Sequence, residues 1–358
     1  MHKLTRDEAR RIAVRAQLLD AQRPGDVVEV AEQLGSIKID PTATIAPAEH
    51  IIPWSRIGWS YEPGQLTKAL DERLLYEFDG QFYSASMLPM MVSWMHGRPR
   101  RDKTIAYLEG NAAFRREVLA RLRADGPLLS TQIADTAAVQ RDDEAGWYGS
   151  NQVPIMLEQL SRIGEVAVSG RDGRQRRWDL AERVYPPGMP DEAYHDAERL
   201  LEERRLQALG IARRKTPWSD VGDAGEPAQV EGSAWKWRVD PAALAALDDD
   251  PGGRVAILSP YDRMLFDRPR LTELFEFTYV LEQFKPKPQR RYGYFAHPIL
   301  IGDRFAGMLD AELDKKRENL VVTAVHELVP FDADEKEMVD AEIRDLAEWL
   351  GVSVVGLA

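Results

Sequence analysis

Apolar residues recur along this chain at two spacings, and the places where the spacing changes mark its elements. Thr5-Arg6-Asp7-Glu8 fits a capping box, and Ile12, Ala16 and Leu19 then fall on one side of a helix that Pro24-Gly25 ends. A second helix is predicted from Asp26 to Leu34, with Gly35 as its stop. The spacing next drops to two. Ile37 and Ile39 alternate with Lys38 and Asp40 directly before Pro41, so a strand would point both charged groups to one side. From Pro63 to Phe78, "PGQLTKALDERLLYEF" returns to helical spacing through Leu66, Leu70 and Leu74.

Between residues 126 and 180 the pattern predicts helix, helix and hairpin. "GPLLSTQIADTA" reads as a helix capped by Ser130. "SNQVPIMLEQLSRIG" reads as a second, with Val153, Leu157 and Leu160 on one face, Pro154 in the first turn and Gly164 as stop. "EVAVSGRDGRQRRWDL" alternates on both sides of Gly170–Gly173, a hairpin with a glycine turn. That order is expected of a winged helix-turn-helix, which sets its second helix in a DNA groove and its wing on phosphate. Arg171, Arg174 and Arg176 flank the turn, with Arg177 beside them, and are the predicted phosphate contacts.

Asp191 to Ala212 is a further helical section. Beyond the glycine-rich "DVGDAGEPAQ", β-type runs take over: "RVAILSPYDRMLF", "EFTYVLEQF", and at least three strands within 291–329 with turns at Gly302-Asp303 and near Arg317-Glu318. Phe305, Gly307, Leu309, Ala311 and Leu313 share a face at period two. A small β-barrel or curled sheet is expected, closed by an amphipathic helix through Val339, Ile343, Leu346 and Leu350.

Composition narrows the function classes. The 358 residues carry a net charge of −12, no cysteine and 44% hydrophobic residues, which describes a globular protein with a sizeable core. Without cysteine there is no disulfide, thiolate-bound zinc, iron–sulfur cluster or thiol nucleophile, and a cytoplasmic, nucleoid-associated location is expected. No run of eighteen apolar residues offers a membrane span. Phe331 to Leu350 holds eight acids against two bases, half of the net charge, so the rest of the chain is less acidic than the total implies. Bases gather in "RPRRDK", "RDGRQRR", "RRK" and "KPKPQRR", and local charge decides phosphate contact. The six histidines lack metal-ligand spacing and "DPGGR" follows no strand, so neither a metal, a nucleotide nor another cofactor is expected.

Several stretches together resemble the AlkZ/YcaQ family of DNA glycosylases: "SIKIDPTATIAPAEHIIPWSR", "LLYEF", "GPLLST", "LEQLSRIGEVAVSGRDGRQRRWDLAERVYPP", and above all "ILSPYDRMLFDRPRLTELFEFTYVLEQFKPKPQRRYGYFAHPILIGDRFAG". The resemblance implies an α+β fold of tandem winged helices ahead of a β-barrel. It divides the chain into 1–110, a winged-helix-like domain with the Lys38-Ile39-Asp40 motif; 111–187, a winged helix; 188–250, a third winged-helix-like domain; and 251–358, the barrel with its acidic helix. It also implies hydrolysis of the N-glycosidic bond of alkylated or crosslinked purines in double-stranded DNA, by a monomer. The family's catalytic motif is Gln, an apolar residue, then Gln or Asp. Asp40 matches its last position and Lys38 stands at its first, where the family has glutamine. No histidine lies between Asp79 and Pro89, where relatives commonly carry one.

In a strand, Lys38 and Asp40 would lie roughly 6.5 to 7 Å apart between Cα atoms, with Pro41 holding Asp40 extended. Breaking an N-glycosidic bond develops positive charge on the sugar, which a carboxylate can stabilise while it orients the attacking water. Asp40 suits that role. Lys38 suits a phosphate contact, an ion pair with Asp40, or a Schiff base with an abasic sugar, giving a lyase. A non-catalytic DNA-binding or regulatory protein on the same scaffold is the other alternative. Trp54, Arg56, Trp59 and Tyr61 follow the motif; of these Arg56 is the predicted DNA contact. In "KPKPQRRYGY", Arg290, Arg291 and Tyr292 place bases beside an aromatic ring ahead of a strand, which suits minor-groove or backbone contact.

Overall fold

Thr5 caps the first helix, Arg6–Ala16: its side chain accepts the Glu8 N–H while the Glu8 carboxylate accepts the Thr5 N–H. Asp26 and Gly35 bound the second, Val27–Leu34. The computed structural model describes residues 1–141, 151–189, 193–216, 219–249 and 252–357. The chain divides into two compact units, Met1–Ala69 with Glu202–Ala358, and Leu70–Leu201. Among the described residues no helix is long and apolar enough to cross a membrane.

The first unit holds two sheets. One runs in the order His2–Leu4, Glu226–Val230, Trp237–Val239, Ile211–Arg213, with the first pair parallel. The other is five-stranded: Val255–Ile257, His297–Ile301, Arg304–Asp314, Asn319–Glu327 and Ser353–Val355, in that order. It is an open, half-barrel sheet rather than a closed barrel, since its first and last strands do not pair. The central strand is wholly buried from Phe305 to Leu309 on both faces, and its register shifts after Asp310. The capped helix Ala333–Trp349 buries Val339, Ile343 and Leu346. One core joins the first helix to this sheet through Leu4, Ile12, Trp237, Leu265 and Phe305. "EFTYVLEQF" forms no strand. Phe277 and Tyr279 are buried one by one, and Glu276 opens the segment with a φ of 53°.

In the second unit a hairpin pairs Leu75–Phe78 with Gln81–Ser84 across Asp79-Gly80, whose φ values of 47° and 70° fit a two-residue turn. The helix expected over Pro63–Phe78 therefore stops at Asp71. Helix Ala112–Asp125 leads to a short strand, Leu128–Leu129, and a 3-10 turn, Ser130–Gln132, where an α-helix capped by Ser130 was expected. Helix Gln152–Arg162 follows, capped by Asn151. The chain reverses at Gly164, with a φ of 78° and no room for a Cβ against His96. Val166–Asp172 and Gln175–Leu180 then form the hairpin, in one sheet with Leu128–Leu129. Helix Tyr194–Leu209 is the next section; the expected start at Asp191 lies outside the described residues.

Candidate active site and nucleic-acid interface

The alternation at residues 37–40 has its expected consequence. Ile37 is fully buried and Ile39 nearly so, while Lys38 and Asp40 are half-buried. Regular strand geometry covers only Ile37–Lys38, because Asp40 starts a turn. Its Oδ1 accepts the N–H of Thr42 at 2.9 Å across Pro41. Its own N–H donates to Glu49 Oε2 at 3.1 Å, and its carbonyl accepts the Ala48 N–H at 3.4 Å. A hydrogen bond to a charged acceptor contributes about 1.5–3 kcal/mol, so Glu49 holds the backbone beneath the Asp40 carboxylate. Nothing in the local pattern singled out Glu49. Its place in the first turn of helix Ala48–Ile57, just after Pro47, was the available signal.

That helix rests on an aromatic floor. His50 Nδ1 and the Tyr61 hydroxyl share a 2.8 Å hydrogen bond. Burial pushes the imidazole down from its ordinary value; burial, then the Glu49 charge, pushes the phenol up. Both groups are thus neutral near pH 7. Tyr61 stacks on Trp349 at 6.1 Å between centroids, and the Trp349 indole N–H donates to the Tyr61 carbonyl at 2.8 Å. Trp54 packs on the same indole at 5.8 Å. Trp54 and Tyr61 are therefore core residues, whereas Trp59 is 85% exposed.

Arg56 is not a DNA contact. Its guanidinium is fully buried, grips both carboxylate oxygens of Asp262, and donates to Ser55 Oγ at 2.8 Å and the Gln17 carbonyl at 3.1 Å. A buried cation needs such partners, and Asp262 lies 206 positions away, beyond the reach of local pattern.

The arginines of the 166–180 hairpin divide. Arg171 donates through Nε and Nη2 to Glu77 at 2.7 and 2.8 Å. Arg176 donates to the same carboxylate at 2.5 Å and also pairs with Glu158. Glu77 is buried, so these two cations are drawn inward onto it rather than standing free on the surface as expected of phosphate contacts. Arg174 is exposed at the turn, and Arg177 pairs with Asp172 at 3.0 Å.

The 284–294 segment does the reverse. Glu282, buried, accepts the N–H groups of Arg291 (2.7 Å) and Tyr292 (2.8 Å) and the Lys285 ammonium (2.9 Å). Burial pushes its carboxyl up, but the Tyr292 N–H, Lys285 and the Arg291 N–H outweigh that and hold it below the usual range. Arg290 lies 4.9 Å over the Tyr294 ring, and Arg291 4.9 Å over that of Tyr292. Arg291 is exposed and Arg290 half-exposed.

Residues 31–349 match the protein family described as DNA glycosylase AlkZ-like. Among solved structures, the Streptomyces sahachiroi DNA glycosylase AlkZ is similar over 99% of this chain and 99% of its own, with a TM-score of 0.63 and 16% identity. At that identity the likeness shows the fold alone.

Proposed function

The chain belongs to the AlkZ-like DNA glycosylase family, whose members are DNA N-glycosylases, and from that premise we propose that it hydrolyses the N-glycosidic bond of alkylated or crosslinked purines in double-stranded DNA, with Asp40 as the catalytic carboxylate. One observation carries the reading: Asp40 is half-exposed on a backbone clamped by Thr42, Ala48 and Glu49. A carboxylate held this way keeps its charge where an oxocarbenium-like sugar develops and meets that charge with little rearrangement. It also accepts a proton from the attacking water. The leaving base departs with the electron pair of the C1′–N bond, and water supplies the hydroxyl that ends on C1′.

Lys38 shares the Asp40 side of the strand. A cation beside an oxocarbenium is unfavourable, so its ammonium serves the flanking phosphate. The order helix Ala112–Asp125, strand Leu128–Leu129, helix Gln152–Arg162, hairpin 166–180 supports reading 111–187 as a winged helix that grips duplex. Modules at 1–110 and 188–250 would be its tandem partners, and 251–358 the half-barrel module. The protein would work as a monomer.

The test is release of N7-alkylguanine, or unhooking of a mustard crosslink, followed by alkaline cleavage at the abasic site. Asp40→Asn should lower the single-turnover rate by about 10²–10⁴ with little change in DNA affinity. A rate within threefold of the natural protein would refute the assignment. Lys38→Gln should retain turnover, and borohydride should trap no protein on abasic DNA; trapping that Lys38→Ala removes would establish the lyase instead.

A further inference from the structure

A lone exposed apolar residue needs no explanation, but Phe284 is not an ordinary one. Its ring is 86% exposed on a segment that is fixed on both sides. Glu282 below it binds two backbone N–H groups and one ammonium of the same segment. Arg290 Nε donates to the Lys285 carbonyl at 2.9 Å, and Gln283 donates to the Tyr261 hydroxyl at 3.0 Å. Phe277, Tyr279 and Phe295 anchor the flanks in the core. The ring is therefore presented to solvent, not left there by fraying.

Its surroundings are cationic. Between Gln283 and Tyr294 stand Lys285, Lys287, Arg290 and Arg291 and no acid, in a chain of net charge −12. Lys285 answers the internal Glu282; the other three follow Phe284 within seven positions, and Tyr294 adds a second face, 45% exposed, beneath Arg290. An aromatic face among cations matches the repeating chemistry of a nucleic-acid strand: a flat base with anionic phosphate on either side. A base stacked and paired inside a duplex offers no face to such a ring, so the matching partner is a base already out of the stack.

We propose that Phe284 stacks on an unstacked DNA base while Lys287, Arg290 and Arg291 hold the adjoining phosphates, so that this loop senses local loss of base stacking. The proposal rests on the DNA-directed reading above, not on catalysis by Asp40.

The experiment measures binding of the full chain, by fluorescence anisotropy at several salt concentrations, to two undamaged duplexes: one fully paired, one with a single extrahelical base. The natural protein should prefer the second by about tenfold. Phe284→Ala should abolish that preference without altering salt dependence or thermal melting, and Phe284→Trp should restore it. Arg290→Ala with Arg291→Ala should weaken both duplexes alike. Undiminished preference in Phe284→Ala overturns the proposal, as does Phe284-dependent binding to phosphatidylserine vesicles with none to DNA. The two readings fail separately. A protein inert on alkylated DNA that still shows the Phe284-dependent preference leaves the stacking loop standing, and an active one whose Phe284→Ala variant discriminates normally removes the loop alone.

Discussion

"RDGRQRR" and "KPKPQRR" look alike as strings, two arginine-rich turns beside strands, yet the structure uses them in opposite ways. In the hairpin at 166–180, Arg171 and Arg176 converge on the buried Glu77, with Glu158 as a second acceptor. Two cations and two carboxylates cancel, and the result is an internal clasp. In the segment around 290, the buried carboxylate Glu282 receives chiefly backbone N–H groups, and the guanidinium groups lie over the rings of Tyr294, exposed, and Tyr292, half-buried. Each region has an acid beneath it. What the acid binds, side chain or main chain, decides whether the arginines face in or out. Counting bases cannot foretell this, since Glu77 lies 94 residues from Arg171 whereas Glu282 lies 9 from Arg291.

The sharpest break would come from the clasp. Glu77→Gln leaves the half-buried Arg171 guanidinium without its anion and Arg176 with Glu158 alone. Because Arg171 and Arg176 keep 28% and 24% side-chain exposure, the expected loss is about 2–3 kcal/mol, below the full cost for a dry pair, read by denaturant unfolding. Arg171→Ala should likewise lower stability while leaving the salt slope of DNA binding unchanged; a shallower slope would show that the clasp opens on DNA. Next in size, Arg290→Ala with Arg291→Ala should weaken duplex binding about tenfold near 0.1 M salt and reduce the slope by about two, with melting unchanged. Arg174→Ala, the exposed member of the hairpin, should cost only a few-fold in affinity and about one in slope.

The smallest effect is acid loosening of the loop. Glu282 is held below its ordinary value, so its contribution is complete above the unfolded value of about 4.3 and disappears as pH falls through the lower folded one. Amide exchange at Arg291 and Tyr292, corrected for intrinsic rates, should lose protection in that acid window, and Glu282→Gln should move the loss to neutral pH.

The parts of the fold that were legible in the sequence are those where cause and effect are close in the chain. The capping box at Thr5, the helix start at Asp26, the alternation around Asp40 and the strands after residue 297 depend on neighbours. Leu75–Phe78 was misread because Leu66, Leu70 and Leu74 keep helical spacing up to its edge; Asp79-Gly80, a hairpin signal, was the clue that outweighed it. "EFTYVLEQF" alternates as a strand should, but among the described residues no strand pairs with it. In the candidate site, Asp40 was visible because the alternation that leaves it half-exposed shows in its immediate neighbours. Glu49, Tyr61 and Trp349 were not, since what makes them matter is the hydrogen bond or ring they meet after folding.

The indole of Trp349 sets a timetable for the whole molecule. Ribosomes deliver Asp40 early, but the helix that backs Tyr61, and through His50 the helix carrying Glu49, ends at Trp349, 288 positions beyond Tyr61, and emerges long after the carboxylate it supports. A message cut short ahead of the Ala333–Trp349 helix yields a polypeptide with the Asp40 carboxylate and no finished floor beside it. Under the proposed function, such fragments would leave the genome untouched, and removal of a base would wait until that helix has been made.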